Sequence, residues 1–186
     1  MPHPIHRVTR FDTTDPPQPL GSGDLTSSRI QNPRVLAAGG TIWILGQDAM
    51  GNTAANPLDA GLAPSGLVLQ VLPRTAVFRS AAVRPEDGNL YVLGEFTGDL
   101  TVLDGGVFTA TTRALVVERF NLQKNLVWWT VIQDRAALSA NGIAYAPADA
   151  GTPQLIVVGS CERSSVTALC PVGQGNGNSF VISLVP

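Results

Sequence analysis

Lysine is nearly absent from this chain of 186 residues: Lys124 is the single example among 12 basic side chains. Charged residues of both signs make up only 14%, well under the usual share in a globular domain, and the formal net charge is −2. A protein that grips nucleic acid needs a basic stripe to neutralise phosphates, and these scattered arginines supply none. Histidine is equally scarce. His3 and His6 both lie in a proline-flanked N-terminal arm, where no packed neighbour would hold an imidazole as a base or as a ligand. No stretch approaches the apolar length of a membrane span, and Met1 to Arg7 lacks the hydrophobic run of a secretory signal. Amphipathic helices are missing too; the best candidate, Asp134 to Ala140, is too short to cover a sheet.

Cysteine occurs twice, at Cys161 and Cys170, with no histidine or further cysteine beside the pair. That pattern is poor for zinc. A loop-closing disulfide is the expectation, with two unconnected thiols as the alternative. Such a bridge would contribute roughly 2–3 kcal/mol in the chain-entropy picture, and it favours an oxidising compartment.

What the chain has in quantity is turn formers, Gly 19 and Pro 14, around short apolar runs. Residues 1–33 read as one unit: an alternating segment, Ile5 to Phe11, compatible with a strand, then a linker marked by Pro16-Pro17-Gln18-Pro19 and Gly21-Ser22-Gly23. From residue 34 to 186 a repeat takes over. Thr41-Ile42-Trp43-Ile44-Leu45-Gly46, Asn89-Leu90-Tyr91-Val92-Leu93-Gly94 and Gln154-Leu155-Ile156-Val157-Val158-Gly159 all end in glycine. A second run follows each: Leu67 to Leu72, Ala114 to Phe120, Phe180 to Leu184. The distances from Gly46 to Leu67, Gly94 to Val116 and Gly159 to Phe180 are 21, 22 and 21 residues. The glycines themselves are 48 and then 65 residues apart, the first value suiting a four-stranded blade.

The strand cores are continuous apolar runs, and such a run means that both faces are covered. Without helices, sheets must cover sheets on both sides, which radial blade packing achieves and a two-layer sandwich does not. The expected fold is therefore all-β, a β-propeller-like array of about three or four antiparallel four-stranded blades, partial or small. The fourth strand of the first unit looks shortened or absent, and the third unit stops at Pro186 before a fourth strand.

In the second unit, Asn89 to Gly98, Ala114-Leu115-Val116-Val117 and Asn125-Leu126-Val127-Trp128 resemble the bacterial seven-bladed β-propeller repeat (SBBP-type) family. Those repeats run Tyr-Val-x-Gly-x-Phe-x-Gly, then Phe-Val-Ala-Lys-Leu, then Gly-Asn-Val-Leu-Trp. The likeness spans roughly residues 34–186, is good in the second unit, partial in the third and weak in the first. Its motifs are structural and carry fold better than function. The resemblance implies an exported or surface-associated protein; since three units cannot close a seven-bladed ring, the chain is either part of a larger protein or a small or open propeller.

Chemistry is thinly marked. Gly173 to Asn178 lacks the Lys-Ser/Thr ending of a phosphate loop. Asp87-Gly88-Asn89 and Asp104-Gly105-Gly106 lack the acidic series of a calcium loop and read as hairpin turns. Trp128 and Trp129 should fall on opposite faces of one strand, where core packing is favoured over sugar stacking. Asp87, Glu95, Asp99 and Glu118 lie in or beside predicted strands, at no spacing that marks an acid/base pair. No catalytic, cofactor or metal residues are assigned; the residues singled out are the glycines and Cys161 with Cys170.

The reading is a non-enzymatic structural or ligand-binding module of an exported bacterial protein, with a protein or glycan ligand. Two alternatives stay open: a propeller glycan hydrolase or lyase with acidic residues in a central channel, and a cytosolic interaction scaffold. One further expectation concerns the apolar strand Phe180 to Leu184, whose open edge invites self-association or further repeats. The spare segment Ile5 to Phe11 is expected to pair with it.

Overall fold

The computed structural model describes residues 7–11, 16, 18–24, 30–59, 62–63, 68–147, 152–162, 169 and 178–185. Among them the chain is entirely β, with antiparallel pairing throughout and no helix. Strands β1 (Arg7–Phe11) and β2 (Pro19–Asp24) form a two-stranded sheet. The first large sheet contains β3 (Gln31–Ala38), β4 (Thr41–Gln47), β5 (Thr53–Leu58) and β6 (Leu69–Leu72). The second contains β7 (Ala76–Val83), β8 (Leu90–Thr101), β9 (Val107–Phe120) and β10 (Leu126–Ile132). The third contains β11 (Leu138–Ala146), β12 (Gln154–Cys161) and β13 (Asn178–Leu184). In every sheet the strands pair in chain order, so each is a simple meander.

Side chains alternate across each strand, and this alternation places the core. On β8, Leu90, Val92 and Phe96 join Trp43, Leu45 and Leu72 in a cluster between the first and second sheets. Tyr91 and Leu93 turn the other way and meet Leu138, Leu155 and Val157 of the third sheet. The second sheet is therefore buried on both faces, which is why Leu90 through Phe96 are buried without a break. Strand β12 alternates buried with more accessible positions, because only one of its faces is covered. Trp43 also ties the first sheet to the second: its indole Nε1 donates to the Gly88 carbonyl at 2.9 Å.

Gly46, Gly94 and Gly159 all lie in the second strand of their sheets, as the repeat requires. What they share is close approach. A Cβ on Gly46 would fall 2.3 Å from Ile30, one on Gly94 2.8 Å from Leu72, and one on Gly159 2.3 Å from Phe180. The repeat keeps glycine there so that a neighbouring side chain can lie flat on the strand.

Two expectations need correcting. The run Leu67 to Leu72 is not the counterpart of Ala114–Phe120 and Phe180–Leu184. Those occupy the third position of their sheets, whereas β6 is fourth in the first sheet, and the third place belongs to β5. The first 21-residue spacing is thus a coincidence. Strand β5, Thr-Ala-Ala-Asn-Pro-Leu, has little β propensity. It is tolerated because β6 pairs only with Thr53, Ala54 and Ala55, so Pro57 lies where the sheet needs no second partner.

The segment ending at Phe11 does not pair with Phe180–Leu184. Strand β1 pairs with β2 instead, Arg7 opposite Asp24 and Thr9 opposite Ser22, inside the stretch read as linker. A nearby partner costs far less closure entropy than one at the far end of the chain. As expected, Asp134 to Ala140 forms no helix, and Leu138 to Ala140 begin β11.

The contacts at Gly159 and Gly94 differ in kind. A methyl at Gly159 also meets the Ser139 backbone oxygen at 2.3 Å, whereas at Gly94 it meets mainly the flexible tip of Leu72. Gly159→Ala is expected to cost about 3 kcal/mol and Gly94→Ala about 1 kcal/mol by overpacking. Urea denaturation of the two variants checks the order; equal losses would show that backbone contact is not the constraint.

Candidate functional site

The four carboxylates nearest the strands do not converge. Asp87 lies in the exposed turn before β8. Asp99 lies in the outer part of the β8–β9 hairpin and accepts a 2.6 Å bond from the Thr109 hydroxyl. Glu95 faces the third sheet, where it meets Ala140. Glu118 alternates with Val116 and Phe120 and so faces the first sheet. With one carboxylate on each face of the second sheet, no acid/base pair forms among them.

Glu95 is a built contact. It is 2% exposed, and its Oε1 accepts the Ala140 backbone N–H at 2.5 Å. Its Oε2 pairs with Arg79 at 2.6 Å and lies 4.0 Å from Arg113 Nε. Two irregularities make this possible. The pairing of β7 with β8 slips at Arg79, and that of β11 with β12 slips at Asn141. Bulges of this type re-aim a side chain and release a backbone group from its ladder. Arg113 completes the link, donating from Nε to the Leu138 carbonyl and from Nη2 to Glu162 Oε1, both at 2.8 Å.

The opposite end of the same seam carries aromatic rings and guanidinium groups. Tyr91 and Tyr145 stack with centroids 6.2 Å apart, Arg119 covers Tyr91 at 5.9 Å, and Arg84 covers Tyr145 at 5.7 Å. Arg84 lies 3.4 Å from Glu86 and 3.7 Å from Asp87, and Arg119 lies 3.6 Å from Asp87. Tyr145 donates to Glu86 Oε1 at 3.3 Å. Two cations and two carboxylates balance, and the stacked rings fill the seam between them. Burial pushes the Tyr91 hydroxyl above its ordinary pKa, outweighing the pull of Arg119 and Arg84. That hydroxyl finds no acceptor among the described residues.

Glu118 is the anomaly. It is fully buried, and neither carboxylate oxygen has a partner among the described residues. Burial, with a smaller contribution from the Asp104 charge, raises its pKa to about 8. A carboxyl held this way keeps its proton at neutral pH, since ionising it would strand a charge in the core.

The remaining marked residues are structural. Asp104 accepts the Gly106 N–H and the Trp129 indole N–H at 2.9 and 2.8 Å, and these bonds hold its carboxyl below the usual range. Asp87 closes its turn through the Asn89 N–H at 3.1 Å. Trp128 and Trp129 pack on opposite faces, toward the third and first sheets respectively. Cys161 ends β12 and is buried. Cys170, His3, His6 and Gly173 to Gly177 lie outside the described residues. An open depression of about 450 Å³ is lined by Thr111, Gln133, Asp134, Arg135 and Leu169. Among the described residues no group of three or more His, Cys, Asp or Glu is placed to hold a metal ion. Among the described residues no helix is long and apolar enough to cross a membrane. No protein-family model matches the chain, and no curated protein is significantly similar to it.

The arginines and tyrosines of the seam were not singled out from sequence, although a signal was present. Arg113, Leu115, Val117 and Arg119 alternate on β9, so two cations bracket an apolar pair on one face.

Two outcomes follow from these carboxylates. The folded pKa of Glu118, about 8, lies above the ordinary glutamate value of 4.5. The unfolded state therefore holds fewer protons between those values, and this group makes stability fall as pH rises through that window. Glu118→Gln should remove the effect, leaving stability near the parent value at pH 5 and raising it by a few kcal/mol at pH 8 or above. Denaturant melts across pH measure it; identical pH profiles would contradict a buried, unpaired carboxyl. Glu95→Gln should instead destabilise by about 2–4 kcal/mol, since it breaks a buried pair. Hydrogen exchange at the Ala140 amide should then accelerate ahead of β8 and β9.

Proposed function

We propose that this chain is a non-enzymatic β-propeller-like module of an exported or surface-associated bacterial protein, related to the seven-bladed repeat its second unit resembles. Its role is structural or ligand-binding. The observation that carries this reading is the sheet enclosed on both faces by its own chain neighbours. Successive meanders stacked in chain order are the building plan of blades around an axis, and the matching positions of Gly46, Gly94 and Gly159 support that plan.

The separation of Glu95 from Glu118 weighs against a channel hydrolase, which needs two carboxyl groups flanking one bond. For a ligand, the best-equipped surface is the rim formed by Tyr145, Arg84 and Glu86, which joins an aromatic face to charged hydrogen-bonding groups. A glycan or a protein loop suits that chemistry. The reading includes a Cys161–Cys170 bridge, supported by the buried position of Cys161 at the end of β12, and an oxidising location.

A glycan panel separates binder from enzyme: retention without release of new reducing ends is expected, and turnover would overturn the non-enzymatic reading. Thiol titration of the unfolded, unreduced protein should find no reactive cysteine. Two thiols per chain would favour the cytosolic scaffold instead.

A further inference from the structure

The β8–β9 hairpin does not run straight. Glu118 lies eleven residues along β9 from Val107, at its outer end, so a straight strand would carry the tip about 36 Å away. Yet Trp129, the β10 residue registered against Glu118, donates its indole N–H to Asp104 in the tip at 2.8 Å. A Cβ on Gly106, also in the tip, would fall 3.0 Å from the same indole. The outer half of the hairpin is therefore an arm folded back over the face that carries Glu118. Its underside is apolar and enclosed: Leu100, Val102 and Ala110 are buried in one cluster with Val116 and Phe120, and Phe108 meets Phe96 edge to face at 6.4 Å. Its upper side is open, with Leu103 and Val107 exposed.

The bend has a hinge. Pairing slips between Phe96 and Gly98, where Thr97 alone stands against Thr111, Thr112 and Arg113. Such irregularities turn a strand and loosen its ladder. Gly98 sits at a φ of +78°, and nothing would crowd a Cβ there within 4 Å, so it has both the conformational freedom and the space to absorb a rotation.

Beneath the arm lies Glu118, fully buried, with neither oxygen partnered among the described residues. The strands around it bring no counter-ion. Strands β4, β5, β6 and β10 contain no charged residue, and Arg34 of β3 lies over Phe78. Arg79, Glu95 and Arg113 form their cluster on the opposite face, where Arg119 covers Tyr91. Asp99, on the arm, is exposed and takes the Thr109 hydroxyl. The charge that does reach Glu118 is that of Asp104, carried by the arm and kept ionised by its bonds to Gly106 and Trp129.

While Glu118 holds its proton, the arm rests on a neutral group. Once the proton leaves, a buried carboxylate without a counter-ion faces a second carboxylate, and only entry of water relieves both. We propose that the arm is a lid, hinged at Gly98 and latched by the Trp129–Asp104 bond, which closes over protonated Glu118 and lifts when that carboxyl ionises. Lifting takes no strand out of its sheet, because the two halves of the arm stay paired with each other. Closed, Glu118 titrates at about 8, whereas in water it returns to the ordinary carboxylate range. The closed form thus binds the proton more tightly, and the ratio of open to closed grows about tenfold per pH unit above that value.

Nuclear Overhauser contacts between Gly106 Hα and the Trp129 ring protons report the closed arm directly. They should be present at about pH 6 and fall away between about pH 8 and about pH 10. Contacts across the arm, Leu100 to Phe108, and those between Trp43 and Gly88 should persist over the same range. Glu118→Gln, with its fold checked by circular dichroism, should keep the Gly106–Trp129 contact throughout. A contact that survives to about pH 10 in the parent chain overturns the proposal. Loss of the contact in Glu118→Gln as well overturns it too, and so does its loss together with the Trp43–Gly88 contact, which would mean that the whole seam had opened.

Discussion

Burial of one sheet between two others governs most of what this molecule does with its residues. Strands β8 and β9 have no solvent face over their central segments, so Leu90 to Leu93 and Ala114 to Val117 are apolar on both sides. Full burial of a side chain such as leucine or valine stabilises by about 1.5–3 kcal/mol, and both neighbouring sheets draw on that surface. The same enclosure makes every polar group on these strands expensive. Glu95 is accommodated by two arginines and a released amide, so its charge has somewhere to go. Glu118 has no such provision and is held neutral.

The two seams consequently have different characters. Between the first and second sheets the contact is almost wholly apolar, with the Trp43–Gly88 bond as a directional link. Between the second and third sheets an apolar centre is bounded by ionic groups at both ends, Arg79, Glu95 and Arg113 at one and Arg84, Asp87 and Arg119 at the other. Apolar contact alone tolerates sliding, whereas directional bonds across the seam tolerate one register, because a slip would part Glu95 from the Ala140 N–H, Arg113 from the Leu138 carbonyl and Tyr145 from Glu86. The first seam supplies cohesion and the second supplies alignment.

Much of this architecture was legible in the residues, and the exceptions have physical reasons. The strands containing Gly46, Gly94 and Gly159 were visible because enclosure demands continuous apolar runs. Strand β5 was hidden because alanine, asparagine and proline form it under tertiary pressure rather than by propensity. Strand β2, rich in glycine and with proline at its start, was hidden for the same reason, since local pairing with β1 decides it. At the candidate site, Glu95 and Glu118 were noticed but their opposite settings were not. A carboxylate's surroundings depend on which sheet its face meets, and on bulges at Arg79 and Asn141 that leave no mark in composition.

The meander order also has a kinetic side. Every strand of the large sheets pairs with a neighbour in sequence, so the closures needed to start a sheet are short, while contacts between sheets join strands further apart, such as β7 with β11 and β3 with β7. Hairpin pairings of this kind form faster than pairings whose strands return from afar. The sheets also behave as a short array, in which each sheet's persistence depends on its immediate neighbours. During synthesis the first sheet emerges with its Trp43 face uncovered, and it gains that cover only when the β8–β9 hairpin has followed it. The longest hairpin in the molecule is thus the point at which a growing chain becomes cooperative, and mutations there should act on folding speed as well as on the folded state.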